Sequence, residues 1–408
     1  MWNRFAFTYA DEFDGSWRLL EDGAEVASGR IAMPHIAPLS RGEVALEGLD
    51  AALAKDAGGK ERFVNVSFAT KADAPWAKKG WVVARDQIAL GVGDFNTEAL
   101  RHRDGVGGEG NGSVGVKEND RSITVERGGT VAMFSRKSGL LTRLSVKGVA
   151  VLEEVSPGVP AGPHLTCVRA FVDNDKWLKE SFLASGLVRL GYHPEPIVVE
   201  GDTVKTVIDV TGTKGCGFKH ECMYHFNSDG AIEMDNKVTP YGRMPKALPR
   251  LGLTMRLVPA LEHIKYYGRG PWENYIDRKT ASFVGIWRST VTDQYVPYVR
   301  PQDCGMKCDV RWVEFTDRYG RGARFSASEP LFVQALHYDW ETLAYSRHIN
   351  GQRRMRATLV PSEDVLLNLD VRQTGLGGAS CGPGPMAKYR FDPKATVEWT
   401  LKIERVGK

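Results

Sequence analysis

The sequence has no apolar run that approaches the roughly 20 residues a membrane-spanning helix needs. Its net charge is only +4, and basic residues do not cluster into a run. We therefore expect neither a membrane nor nucleic acid among its partners. The N-terminal stretch MWNRFAFTYADEFDG carries acids where a signal peptide would have an apolar segment, so we expect a cytoplasmic location.

Cysteine is scarce and scattered. The six cysteines are Cys167, Cys216, Cys222, Cys304, Cys308 and Cys381. Only Cys304 and Cys308 are close to each other, and no second pair or histidine stands at the spacing of a zinc site. We therefore expect no metal in this chain, and the dispersed thiols fit a reducing compartment.

Helical periodicity is also scarce, with one short candidate near Leu49–Lys55, whereas short alternating segments are frequent. Near the N-terminus, Asp22-Gly23 separates two such segments, a pattern typical of a β-hairpin because both central residues of its turn need positive φ. Further strand-like segments follow at Phe63–Thr70 and Gly80–Ala84. Residues 1–93 are therefore predicted to form an immunoglobulin-like β-sandwich.

The next segment, 94–121, contains the run DGVGGEGNGSVG and is predicted to be a flexible linker or exposed loop. From residue 122 to 408 the strand pattern continues almost without interruption. So many antiparallel strands exceed one immunoglobulin unit, and a large two-sheet sandwich accommodates them. The predicted class is all-β.

Two of the usual catalytic motifs are missing: there is no phosphate-binding loop of the form G-x-x-x-x-G-K-[ST] and no H-E-x-x-H. Sugar hydrolysis needs two carboxylates. The candidate pairs are Asp173/Asp175, Glu273/Asp277 and Glu363/Asp364. The last pair is typical of a solvated turn, the middle pair of ion pairing with nearby arginines, and the first could bind a ligand or form Asx turns.

Two other segments have unusual compositions. Residues 266–282 read YYGRGPWENYIDRKTAS, too polar for a core strand and too aromatic for an ordinary loop. Residues 375–385 read GLGGASCGPGP, in which glycine and proline fix one bent backbone path. Loops constrained in this way often serve a site.

These segments together carry a resemblance. Tyr267–Tyr275 followed by Asp277-Arg278, Arg169-Ala170 with Asp173–Asp175, and Gly375–Cys381 resemble the C-terminal domain of the large beta-galactosidases of glycoside hydrolase family 2. The N-terminal ninety or so residues are similar to the immunoglobulin-like domain that precedes it in those enzymes. The resemblance implies that 122–408 is a super-sandwich of the kind that galactose mutarotases share.

The resemblance also implies an enzyme of which this chain is one part. In the family, the catalytic glutamates and the magnesium ligands belong to a TIM barrel, which needs about 250 residues of alternating strand and helix. Nothing in this sequence provides that pattern. We therefore expect a small subunit or fragment, inactive alone and without a cofactor of its own. It would complete a barrel-containing partner that hydrolyses terminal β-D-galactosides such as lactose with retention, within an oligomer.

Residue roles follow from the same resemblance. Arg269, Glu273, Asp277 and Arg278 are expected to interlock as ion pairs. Tyr267, Trp272 and Tyr275 are expected to pack the sandwich. Asp173, Asn174, Asp175 and Cys381 are expected at the substrate, with Cys381 standing where many members have a tryptophan. No catalytic residue is assigned to this chain.

Two alternatives remain open. A free-standing sugar epimerase would share the super-sandwich, but the histidine motif of that class is not found. A carbohydrate-binding module without a catalytic partner would bind sugar as an isolated chain.

Overall fold

The computed structural model describes residues 1–91, 114–154, 161–345 and 359–407. The chain divides into two compact units, Met1–Thr97 and Glu98–Lys408. Most of the predicted linker, 94–121, lies outside the described residues. The described end of this segment is not a loop, because Gly115–Glu118 forms a strand that pairs with the next strand of the larger unit.

The smaller unit contains a four-stranded antiparallel sheet in the order β2-β1-β3-β4. Its elements are β1 Phe13–Glu21, β2 Ala24–Ile31, helix α1 Leu49–Leu53, β3 Arg62–Thr70 and β4 Val82–Ala89. The predicted hairpin is confirmed: Asp22 and Gly23 both have positive φ, at 46° and 79°. The short predicted helix is confirmed as α1.

One face of this sheet supplies the core of the smaller unit. Trp17, Leu19, Ile31 and Val64 are buried there, and partly buried side chains from the β2–β3 connection, including α1, pack on them. The alternation of β1 explains this arrangement, because Trp17 and Leu19 point to the same side while Arg18 points to solvent.

The larger unit is a continuous antiparallel sheet of eighteen strands among the described residues. Its strands are β5 Gly115–Glu118, β6 Ser122–Arg127, β7 Thr130–Ser135, β8 Leu141–Val146, β9 Val149–Glu153, β10 His164–Thr166, β11 Leu190–Pro194, β12 Val198–Glu200, β13 Thr203–Gly212, β14 Gly217–Phe226, β15 Ile232–Tyr241, β16 Arg250–Leu257, β17 His263–Gly270, β18 Phe283–Thr290, β19 Lys307–Thr316, β20 Gly322–Leu336, β21 Val365–Gln373 and β22 Val397–Val406. The predicted all-β class is confirmed.

The long strand β20 organises this sheet. Residues 322–327 pair with β22, whereas residues 332–336 pair with β21. From β22 the pairing continues to β15, β14 and β13. From β21 it continues to β16, which pairs with both β10 and β9. Pro330, which cannot donate a backbone hydrogen bond, stands where β20 changes partner.

The two branches that leave β20 share one hydrophobic core. Ile232 and Leu401 come from the β22 branch, Leu253 and Leu367 come from the β21 branch, and all four belong to the same buried cluster. Aromatic rings fill its widest part: Phe315 and Phe325 meet edge to face, with ring centroids 6.0 Å apart.

The larger unit also contains two α-helices among its described residues, α2 Lys176–Ser185 and α3 Trp340–Tyr345. Helix α2 was not predicted, although Leu178, Phe182 and Ser185 are buried at helical spacing and Gly186 ends the helix with φ 77°. Among the described residues, no helix is long and apolar enough to cross a membrane.

We predict that Phe325→Ala lowers the free energy of unfolding of the larger unit by about 3–5 kcal/mol. The side chain is fully buried against Phe315, so its removal loses apolar burial and leaves a cavity. Urea denaturation followed by circular dichroism measures the change. Tyr319→Ala, at an exposed aromatic nearby in sequence, is the control and should leave the midpoint almost unchanged.

Candidate functional site

An ion pair without solvent exposure anchors the loop that precedes α2. Asp175 accepts hydrogen bonds from the Arg169 guanidinium, with Nη2–Oδ1 at 2.5 Å and Nε–Oδ2 at 3.1 Å, and both side chains are 0% exposed. The backbone N–H of Val172 donates a third bond to Oδ2. Both carboxylate oxygens are therefore occupied, and the predicted substrate contact of Asp175 is wrong because burial and pairing exclude it.

Arg169 extends this anchor to distant parts of the chain. Its Nη1 donates to the carbonyl oxygens of Pro249 and Thr374, which flank β16 and β21. Burial opposes the charge of Arg169, but the contact with Asp175 outweighs it and raises the pKa of the guanidinium. The pair therefore stays ionised and fixes the loop against the sheet.

Asn174 joins the same loop to the glycine- and proline-rich segment 375–385. Its Nδ2 donates to the carbonyl of Gly377 at 2.8 Å, and its Oδ1 accepts from the N–H of Ser380 at 3.0 Å. Two loops about two hundred residues apart in sequence are thus held by one amide group. Asn174 therefore spends one N–H donor and one lone pair on the backbone and keeps one of each.

Asp277 holds the other side of the 375–385 segment. Its two carboxylate oxygens accept the N–H groups of Leu376 and Gly377, at 3.0 and 2.7 Å. A Cβ at Gly375 would lie 2.6 Å from this carboxylate, and Gly377 has φ +67°. Glycine is therefore required at both positions, by close approach in one case and by backbone conformation in the other.

Two of the predicted substrate residues on these clasped loops reach solvent. Asp173 is 65% exposed and pairs with Arg300, Oδ1 to Nη1 at 2.9 Å. Cys381 is exposed, one residue after Ser380. Of the four predicted substrate residues, Asp173 and Cys381 are thus the two that are exposed, while Asn174 is partly buried and Asp175 is buried.

The predicted four-member ion-pair cluster differs from the structure. Arg278 does pair with Glu273, at 2.7 Å. Arg269 instead pairs with Asp309 at 2.5 Å, as does Lys279 at 2.7 Å. Asp277 binds backbone N–H groups, as described above. Apart from the Arg278–Glu273 pair, the predicted cluster members therefore hold separate neighbours rather than one another.

The aromatic residues of the same segment fall into two groups. Tyr267 and Tyr275 are buried as predicted, and the Tyr275 hydroxyl donates to Asp303 at 2.8 Å. Trp272 is 57% exposed, so the prediction that it packs the sandwich is wrong. The turn leaves its indole on the surface while the buried Asn274 amide bonds the backbone around it.

The remaining carboxylate pairs are also engaged. Glu273 accepts from the Gly305 N–H at 2.9 Å and from the Tyr298 hydroxyl, in addition to its pairing with Arg278. Asp364 is buried and faces Arg256, so the expectation of a solvated turn is wrong for this residue. Within the described ranges, no group of three or more His, Cys, Asp or Glu could hold a metal ion.

Sequence reasoning missed a tryptophan beneath the 375–385 segment. The Trp177 ring contacts Gly384, where a Cβ would lie 3.1 Å from the indole, and Arg390 stacks 4.7 Å from the ring centroid. The sequence clue that could have pointed to this tryptophan is its position in the first turn of α2, which begins directly after Asp175. The indole of Trp177 therefore packs against the loop that carries Cys381, although Trp177 belongs to α2 and not to that loop.

Both units match models of known protein families. Residues 126–403 match the family model described as "Beta galactosidase small chain", and residues 1–91 match "Beta-galactosidase, domain 4". The beta-galactosidase of Priestia megaterium is 26% identical over 92% of this chain and 34% of its own length. That of Pseudoalteromonas haloplanktis is 24% identical over 96% of this chain and 36% of its own length. The chain thus spans about a third of these relatives.

Among solved structures, galactose 1-epimerase from Lactobacillus acidophilus aligns with 72% of this chain and 99% of its own, at 8% identity and a TM-score of 0.39. A likeness this distant carries no functional argument.

We predict that Asp175→Asn destabilises the larger unit by about 3–5 kcal/mol, because it leaves Arg169 buried without its counter-charge. Asp173→Asn is the matched control two residues away. Its pair with Arg300 is exposed and should contribute only about 0–1 kcal/mol. Thermal and urea unfolding of both variants measures the difference, and equal effects would contradict the anchoring role of Asp175.

We also predict that iodoacetamide modifies Cys381 before any other cysteine of the folded chain. The other five thiols are buried. Burial also raises the pKa of Cys167, Cys222, Cys304 and Cys308, which lowers their thiolate fraction. Mass spectrometry of time points identifies the labelled peptide. First labelling of Cys222 would show that the arrangement of β14 is wrong.

Proposed function

Since the chain belongs to the beta-galactosidase small-chain family, we propose that it completes the active site of a barrel-containing partner. That partner, a separate chain or the rest of a longer one, hydrolyses terminal β-D-galactosides such as lactose. The observation that carries the proposal is the clasp of Asn174 on the 375–385 segment, which places the exposed Asp173 and Cys381 on two joined loops.

Two facts support a dependence on a partner. The chain covers only about a third of the length of its beta-galactosidase relatives. In addition, the carboxylates of Asp175 and Glu273 are already engaged by buried or partly buried protein groups. A retaining glycosidase needs an acid/base and a nucleophile about 5–5.5 Å apart. We assign both to the partner, together with any magnesium ion.

The loops of this chain would position the substrate rather than react with it. The Asp173 carboxylate can accept hydrogen bonds from sugar hydroxyls once the exposed contact with Arg300 opens. Cys381 would lie beside the second sugar or aglycone. Because a thiol offers less surface than an indole, this contact would hold the second sugar weakly. Asn174, Asp277 and the Arg169–Asp175 pair would keep both loops in one geometry.

A chimeric enzyme tests this proposal. The matching C-terminal third of the Priestia megaterium beta-galactosidase is replaced by this chain, and hydrolysis of lactose and of o-nitrophenyl galactoside is measured. We expect the isolated chain to be inactive and the chimera to be active. Turnover by the isolated chain above a blank would contradict the assignment of both catalytic carboxylates to the partner.

Position 381 provides a sharper readout in the chimera. Cys381→Trp should lower the KM for lactose by about three- to tenfold, since a stacked aromatic ring contributes about 0.5–1.5 kcal/mol. Cys381→Ser is the matched control and should leave KM nearly unchanged. An effect of Cys381→Trp on stability alone would place the residue away from the substrate.

A further inference from the structure

A cleft of about 350 Å³ lies in the larger unit, outside the loops described above. Its floor is a row of polar residues on adjacent strands. His164 of β10 is paired in register with Thr254 of β16, Thr254 with Asn368 of β21, and Asn368 with Gln334 of β20. Three of these four, His164, Thr254 and Asn368, line the cleft directly.

The opposite face of the same strands is the hydrophobic core. Leu165, Leu253 and Leu369 are fully or almost fully buried there and alternate with the polar row. The walls of the cleft include Arg189 and Tyr192 from one segment, and Asp339 and Trp340 from the start of α3. A concave polar sheet face of this size can hold a small ligand.

The deepest polar group of the cleft is Arg250, whose residue is 1% exposed. Its Nε lies 2.8 Å from Asp370, and its Nη1 donates to Gln334 Oε1 at 3.0 Å. Its Nη2 has no hydrogen-bond partner among the described residues, and neither do the two oxygens of the ion-paired Asp370. A buried N–H of this kind is costly unless a ligand or water accepts from it.

The floor also offers acceptors. Asn368 Nδ2 donates to Gln334 Oε1 at 3.1 Å, which leaves the Asn368 carbonyl oxygen available. The His164 Nδ1 lies 3.0 Å from the carbonyl of Gly162, which can only accept, so Nδ1 carries the proton and Nε2 is an acceptor. Burial lowers the pKa of His164, in agreement with a neutral ring.

Three arginines and two carboxylates line the cleft, namely Arg189, Arg250 and Arg256 with Asp339 and Glu341. Arg250 faces Asp370, and Arg256 lies 3.6 Å from both Asp339 and Asp364. At the rim, Arg189 and Glu341 carry opposite charges. Because Arg250 and Arg256 are already paired with carboxylates, they attract an anion such as phosphate less strongly, whereas neutral hydroxyl groups can use both the donors and the acceptors.

We propose that this cleft binds a neutral pyranose. A monosaccharide presents hydroxyls that both donate and accept, which matches Arg250 Nη2, Asn368 Oδ1 and His164 Nε2. It also has an apolar C–H face, which suits the rings of Tyr192 and Trp340 on the walls. The site is separate from the Asp173–Cys381 loops and lies within this chain, so its occupation does not require the partner proposed above.

Isothermal titration and saturation-transfer NMR on the isolated full chain test the proposal. The probes are D-galactose, D-glucose and lactose, with D-galacturonate and inorganic phosphate as anionic comparisons. We expect saturable binding of a neutral sugar. Asn368→Leu should weaken it by about tenfold, since it removes a floor acceptor at nearly constant volume. Asn65→Leu, the same change on β3 of the smaller unit, should leave it unchanged.

Thr254→Val serves as a second cleft variant, because it removes only a hydroxyl and keeps the shape of β16. It should weaken sugar binding even if Asn368→Leu alters folding, which melting curves report. The proposal is overturned if no neutral sugar binds saturably, if phosphate or galacturonate is preferred, or if Asn65→Leu removes the binding while Thr254→Val does not.

Discussion

The structure of the candidate site depends on the buried ion pair between Arg169 and Asp175. Neither side chain reaches solvent, so each charge is tolerated only because the other is present. The pair fixes the short turn from which Asp173 and Asn174 project, and Arg169 ties that turn to carbonyls beside β16 and β21. Removal of either partner would leave an unpaired charge at the junction of three segments. Its role is therefore positional.

A buried polar network connects this anchor to the cleft. Asp303 donates its backbone N–H to Ala170, accepts from the Tyr275 hydroxyl and accepts from Gln334. Gln334 in turn accepts from Arg250 and Asn368 on the cleft floor. Burial raises the pKa of Asp303, which the nearby arginines partly oppose. The same network thus orders the loops proposed to meet a barrel and the cleft proposed to hold a sugar.

The two sites nevertheless differ in construction. The loops are held mainly by backbone hydrogen bonds to Asn174 and Asp277, and they present few free groups on an exposed face. Such a surface suits a role in completing a site that another domain supplies. The cleft has a floor on regular strands, a buried donor and two walls. That arrangement suits a ligand bound by this chain alone.

The sequence by itself determined the all-β class, the Asp22-Gly23 hairpin and the family, because alternation and turn chemistry are local. It also singled out residues 173–175, 266–282 and 375–385 as segments of unusual composition that resemble the family. Only the tertiary structure decided their roles: Asp175 is buried, Trp272 is exposed, and Arg269 pairs with Asp309. The cleft could not be read from sequence, since His164, Thr254 and Asn368 become neighbours only when three distant strands pair in register.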